Sequence, residues 1–240
     1  SLRAVCRPFR KSCTNMDILA SDIPDLSRVT DMTYMFSDCE VMNAEIGNWD
    51  VSHVTDMSDM FNYALLFNGD ISGWDVSSVT NMNSMFYETE NFNQDLNAWD
   101  VSSVTDMGDM FYDAISFNQS LGGWDISNVT DMFSVFSTSV PLSMVNYDST
   151  LIGWARLDPA ETQIPVGISF SAVNSFYCAG KASRDSLTMV YNWTISDNGP
   201  DPAETWAADR SANHPRRLSI GPHRDAISPS NPPPGTTAAS

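Results

Sequence analysis

The sequence predicts an α/β solenoid of leucine-rich-repeat type, with one short parallel strand and one short helix in each 25-residue turn. Three recurrences carry this reading. Val-Thr returns at Val29/Thr30, Val54/Thr55, Val79/Thr80, Val104/Thr105 and Val129/Thr130. A methionine follows each time, at Met32, Met57, Met82, Met107 and Met132. Tryptophan returns at Trp49, Trp74, Trp99 and Trp124, followed each time by Asp and then, next but one after the Trp, by Val51, Val76, Val101 or Ile126. A fixed period of this size means that each turn buries its apolar side only against its neighbours.

Within a turn, the segment from Trp to Val alternates apolar and polar residues, which predicts a short strand with one buried face. These strands should stack as a parallel sheet at about 4.8 Å. Val54, Met57, Met60, Phe61 and Ala64 are then spaced by three and four, which predicts about two turns of helix. Thr55 is placed as its N-cap and Asp56 in its first turn. The chain returns through Phe67, Asn68 and Ile71. The methionine columns read as soft core packing.

Residues 1–23 break the pattern and read as an N-terminal cap, in which Cys6 and Cys13 flank a basic loop and are placed to close a disulfide. Residues 24–146 are the five turns. Residues 147–196 read as a C-terminal cap: helical over 147–155, extended over 166–170, helical over 177–191, with a last strand over 193–195. Residues 197–240 are rich in Pro, Gly, Ser and Ala and read as a disordered tail or linker. The chain opens at Ser1 without an initiator Met and so reads as truncated. Cys39 aligns with Ala64 and Ala114 and reads as a buried thiol.

Net charge is −18, and no Lys or Arg lies between Val29 and Ala155. A surface without cations cannot neutralise phosphates, which excludes nucleic acid and anionic lipid as its partners. No stretch is long and apolar enough to insert in a membrane. A monomer is expected.

The Asn column (Asn43, Asn68, Asn93, Asn118) reads as a buried structural ladder, each amide bonding its own and the next turn. The outward columns read as candidate binding residues: Asp50, Asp75, Asp100 and Asp125, with Ser52, Ser77, Ser102 and Ser127. The position beside them varies as Arg28, His53, Ser78, Ser103 and Asn128, as a tunable contact surface would. The same Asp and Ser residues also suit turns whose backbone groups they would satisfy. Stacked carboxylates repel unless they meet backbone donors or a cation, so calcium stays open as a ligand while no other cofactor is expected. Asn118, Asn128 and Asn192 open glycosylation sequons.

The run Trp74-Asp75-Val76-Ser77-Ser78-Val79-Thr80, with Met82-x-x-Met85-Phe86, resembles the BspA-type leucine-rich-repeat surface proteins, whose repeats also occur in mycoplasma lipoprotein-like proteins. Asp148 to Trp154 and Tyr177 to Ile195 resemble the closing module of that family. The resemblance spans about residues 24–196. It implies a secreted or cell-surface protein used in adhesion or in host or matrix binding, with a protein or glycan ligand on the strand face and no catalytic residues.

Two other functions are weighed against it. The Thr30 to Thr130 column offers a regular row of hydroxyls for ice or a crystal surface. An enzyme is not expected: the turns hold one histidine, His53, and their carboxylates are serial rather than paired.

Overall fold

The computed structural model describes residues 23–136, 140–159 and 161–203. The N-terminal cap with Cys6 and Cys13, and the tail beyond 203, lie outside these residues.

From Leu26 to Phe136 the chain forms layers joined by hydrogen bonds between residues 24 to 28 apart. Neither the predicted helix nor the predicted strand occurs in them. Val54 to Ala64 is a run of reverse turns closed by Met60 N–H to the Met57 carbonyl (3.2 Å), Asn62 to Asp59 (3.2 Å) and Ala64 to Phe61 (2.9 Å). The intervening donors point to the next layer. Met57, Asp59, Phe61 and Tyr63 donate to the carbonyls of Asn81, Asn83, Met85 and Tyr87 at 2.8–3.0 Å. Every second N–H thus bonds within the layer and every second one across it, so this backbone is satisfied without helix or ladder.

Left-handed residues keep the turns from propagating into a helix. Tyr34, Asp59, Ser84, Asp109 and Ser134 form one column with φ between 52° and 57°. Asp38, Tyr63, Glu88 and Asp113 form a second. A φ of this sign cannot be continued into a right-handed helix. Parallel pairing is confined to single bridges at Asp31, Asp56, Asn81, Asp106 and Asp131, and at Phe111 with Phe136. The Trp-Asp-Val segment, predicted as the strand, pairs with no neighbouring strand and leads into a turn closed by Val54 N–H on the Val51 carbonyl (2.8 Å).

The core is continuous. Phe36, Phe61, Phe86, Phe111 and Phe136 stack face to face with centroids 5.5–5.7 Å apart. Phe67, Phe92 and Phe117 form a second file beside them. Each file touches the other within a layer, as Phe86 does Phe92 at 4.1 Å. The methionine columns Met57, Met82, Met107 and Met132 are buried against these rings. Three core indoles also spend their N–H: Trp74, Trp99 and Trp124 donate to the carbonyls of Ile46, Ile71 and Leu96 one layer back (2.8–3.2 Å). Cys39 occupies the same small buried column as Ala64, Thr89 and Ala114, and burial, with Asp38 nearby, pushes its thiol up to about 11.

The C-terminal module has ordinary elements: α1 (Met144–Trp154), β1 (Ser169–Ser171), α2 (Lys181–Met189) and β2 (Thr194–Ser196), with β1 and β2 parallel. α1 continues the bonding of the layers. Its Thr150 hydroxyl accepts Leu121 N–H (3.0 Å), and its Trp154 indole donates to the Leu121 carbonyl (2.9 Å). Gly153 faces the Gly122 backbone so closely that any Cβ there would strike it. The module extends past the tail boundary read from the sequence: Tyr177 bridges Pro200, and Asp197 pairs with Arg184.

Candidate functional site

The layers have three corners at which, in most layers, a side-chain oxygen accepts the backbone N–H two residues on. At the first corner, Asp50 Oδ1 accepts the Ser52 N–H (3.1 Å) and hydroxyl (2.6 Å), and Asp75 does the same with Ser77. Asp100 accepts Ser102 N–H and Asp125 accepts Ser127 N–H. The hydrogen bonds from Ser52 and Ser77 hold the carboxyls of Asp50 and Asp75 below the usual carboxylate value. At the second corner, Asp70 accepts both donors of Ser72, and Asp95 accepts Asn97 N–H.

The third corner is the bridge column, which sequence reasoning placed inside a helix. Asp56 accepts both donors of Ser58 and, on its other oxygen, the Asn81 amide (3.2 Å). Asn83 reaches on to Asp106 (3.3 Å). Burial pushes Asp56 up, but the hydrogen bonds from Ser58, Asn81 and Thr33 outweigh it and the net shift is downward. The columns Asp50/75/100/125 and Ser52/77/102/127 therefore sit at turns, not on a strand face, and their polar atoms largely close those turns. Ser127 is buried, because Thr162 and Gln163 of the C-terminal module bond across it. His53 is exposed, with its Nδ1 2.9 Å from the Ser52 hydroxyl.

The Asn column lies on the surface rather than in the core. The Oδ1 atoms of Asn43, Asn68, Asn93 and Asn118 accept the N–H of Asn68, Asn93, Asn118 and Ser143 at 2.7–3.0 Å. Gln94, Gln119 and Asn146 add side-chain donors to the same oxygens. The ladder thus ends on α1.

The Thr column caps no helix. Thr55, Thr80, Thr105 and Thr130 each donate their hydroxyl to the carbonyl of the preceding Thr (3.0–3.1 Å). Their donors are used internally, which leaves only lone pairs for a crystal surface.

A different corner was not legible beforehand. The rings of Tyr63 and Tyr87 lie 5.8 Å apart and those of Tyr87 and Tyr112 stack at 4.8 Å, along the surface of three layers. The Tyr63 phenol bonds to Glu88, which pushes it up to about 12. Tyr63 shares its sequence column with Glu88, so a scan by columns of 25 never aligns the three rings.

One shallow groove of about 400 Å³ among the described residues is lined by Glu45, Gly47, Asn48, Asp70, Ser72 and Gly73. Among the described residues, no group of three or more His, Cys, Asp or Glu is arranged to hold a metal. Likewise, among the described residues no helix is long and apolar enough to cross a membrane.

The family described as "Mycoplasma protein of unknown function, DUF285" matches the chain over residues 9–99 and again over 30–147. No curated protein and no solved structure matches it.

Proposed function

The chain belongs to that DUF285 family, which matches more than half of its length, and we propose that it is a non-catalytic interaction module presented outside the cell or on its surface. In this reading the layers are a solenoid frame of the leucine-rich-repeat, BspA-like kind. The frame binds a protein or glycan partner along its length, as a monomer.

One observation carries the reading. The polar atoms that repeat in every layer are spent on the frame itself, whereas the groups beside them change from layer to layer: Arg28, His53, Ser78 and Ser103 in one file, which ends at Asn128 with its amide on the Ser102 carbonyl (2.7 Å), and Val41, Leu66, Asn91 and Ser116 in another. A constant frame with variable outward groups suits recognition better than catalysis. Acid–base or nucleophilic chemistry needs a base and its partner held in one pocket. The shallow groove is lined by two carboxylates and small neutral residues.

The test is surface labelling of intact producing cells with a membrane-impermeant reagent, followed by binding of the purified chain to arrays of matrix proteins and glycans. Labelling with saturable binding to an array member is expected. Labelling only after lysis, with no array binding, would sink the proposal.

A further inference from the structure

Resting on that reading, we propose that Asn192 is a site of N-linked glycosylation and that its glycan covers an apolar patch on the C-terminal module. Three Asn-x-Ser/Thr triplets occur, at Asn118, Asn128 and Asn192. The structure separates them. The Asn118 carboxamide is held against α1, with Oδ1 accepting Ser143 N–H (2.7 Å) and the Asn146 amide (3.1 Å). The Ser120 hydroxyl of its triplet accepts Gly122 N–H (3.2 Å). The Asn128 amide donates to the Ser102 carbonyl (2.7 Å), and Thr130 of its triplet donates to the Thr105 carbonyl (3.0 Å). In the third triplet, the Asn192 amide and the Thr194 hydroxyl make no hydrogen bond among the described residues, and both residues are exposed.

The backbone at this place suits an acceptor. Asn192 stands at a φ of 57°, in the connection between α2 and β2. Asparagine enters this left-handed region more readily than most residues. Thr194 then opens β2, with its N–H on the Ile168 carbonyl (2.8 Å).

A second observation points to the same place. Val166, Met189 and Val190 are 70%, 80% and 69% exposed. Their segments are tied by two bonds, Gly167 N–H to the Tyr191 carbonyl (2.9 Å) and the Trp193 indole to the Pro165 carbonyl (2.7 Å). Val166 and Asn192 are the residues between those bonds, one on each segment, and Met189 and Val190 end α2 just before them. Three large apolar groups thus stand in water around one unused amide. A glycan is bulky and solubilising, and the apolar faces of its first sugars would take such groups out of water.

The substrate class is an oligosaccharide carried on a lipid pyrophosphate. Asn192 Nδ2 bonds to its anomeric carbon and the anomeric C–O bond breaks. The lipid pyrophosphate leaves with the electron pair, and one amide proton passes to the transferase. No hydrogen bond of the fold is lost in the exchange.

The experiment isolates the full chain from its producing cells and treats half of it with an amidase that removes N-glycans and leaves Asp in place of Asn. Each Asn is then read by peptide mass spectrometry. Conversion at Asn192, with Asn118 and Asn128 unchanged, is expected. In the same cells the Thr194→Ala chain should lose the mass of the glycan and the Thr194→Ser chain should keep it. Removing the glycan should raise the fluorescence of a dye that reports apolar surface, and Val166→Ser/Met189→Ser should shrink that rise.

An unmodified Asn192 in chain that is labelled on intact cells would overturn the proposal and leave the surface reading standing. An unmodified Asn192 in chain labelled only after lysis would overturn both. A glycan on Asn118 or Asn128 beside a bare Asn192, or one kept by Thr194→Ala, would overturn the choice of site. An unchanged dye signal after removal would overturn the covering role.

Discussion

The layers from Leu26 to Phe136 and the module from Leu142 to Asp201 solve the same problem by opposite means. In the layers, a polar group is satisfied by a similar group one layer away: Asn on Asn, Thr on Thr, indole on the matching carbonyl. The module has no neighbour of its own kind and relies on unlike partners. The Asp148 carboxylate on α1 accepts the N–H groups of Cys178, Ala179 and Gly180 at 2.8–2.9 Å. Asp197 takes the guanidinium of Arg184 (2.6 Å) and the Tyr147 phenol (2.7 Å). All three ion pairs among the described residues fall in this module. Repetition lets a structure dispense with charge pairing, and its end restores the need for it.

The comparison breaks most sharply at its centre. Phe86→Ala removes a ring packed between Phe61 and Phe111 and against Phe92, so a loss of about 4 kcal/mol is expected in a urea melt. A loss as small as that of a surface substitution would mean that the layers do not unfold as one core. Asp148→Ala strands three N–H groups and should cost about 3 kcal/mol, with helix signal from α1 and α2 falling before the layers melt. Coincident melting of both regions would show that they are energetically one unit. Trp99→Phe keeps most of the ring but removes one of the two donors on the Ile71 carbonyl, which retains the Trp74 N–H (3.1 Å), for about 1 kcal/mol. Ser134 sits at a φ of 52°. There Ser134→Gly should stabilise by about 0.5 kcal/mol, relief of the left-handed penalty exceeding the added freedom of the unfolded chain.

Per residue, the smallest effect is that of the exposed corners, but it repeats. The bonds from Ser27, Ser52, Ser72 and Ser77 lower the folded-state pKa of Asp25, Asp50, Asp70 and Asp75 from an ordinary 3.8. Groups lowered in this way contribute stability above their unfolded value and lose it as pH falls through the folded one. The melting temperature should therefore hold above about pH 5 and decline as pH drops below about 4. Replacing the serines by alanine should shrink that decline.

What the sequence made legible follows from what repeats. Trp, Val, Met and Phe recur because each must fill the same space in every layer, and these columns are buried. The local conformation was hidden because successive reverse turns give the same three-and-four spacing as a helix. The left-handed positions gave no warning either: Asp59, Tyr63, Ser84 and Glu88 hold them where glycine would have announced a turn. Thr55 reads as a cap, yet its hydroxyl serves the preceding layer. In the C-terminal module, where cues are local, the helix read over 147–155 coincides closely with α1. The tyrosine corner escaped because cross-layer donors here reach residues 24 rather than 25 along, as Tyr63 reaches Tyr87.

The Asn ladder has a genetic consequence. Each amide receives from the layer before it the same acceptor that it offers to the layer after it. Duplication or loss of one 25-residue unit, as polymerase slippage on a repetitive coding sequence would produce, leaves every rung matched to a rung of the same kind. Such a lineage can lengthen or shorten its surface in whole steps within one generation, provided that α1 remains to close the last one.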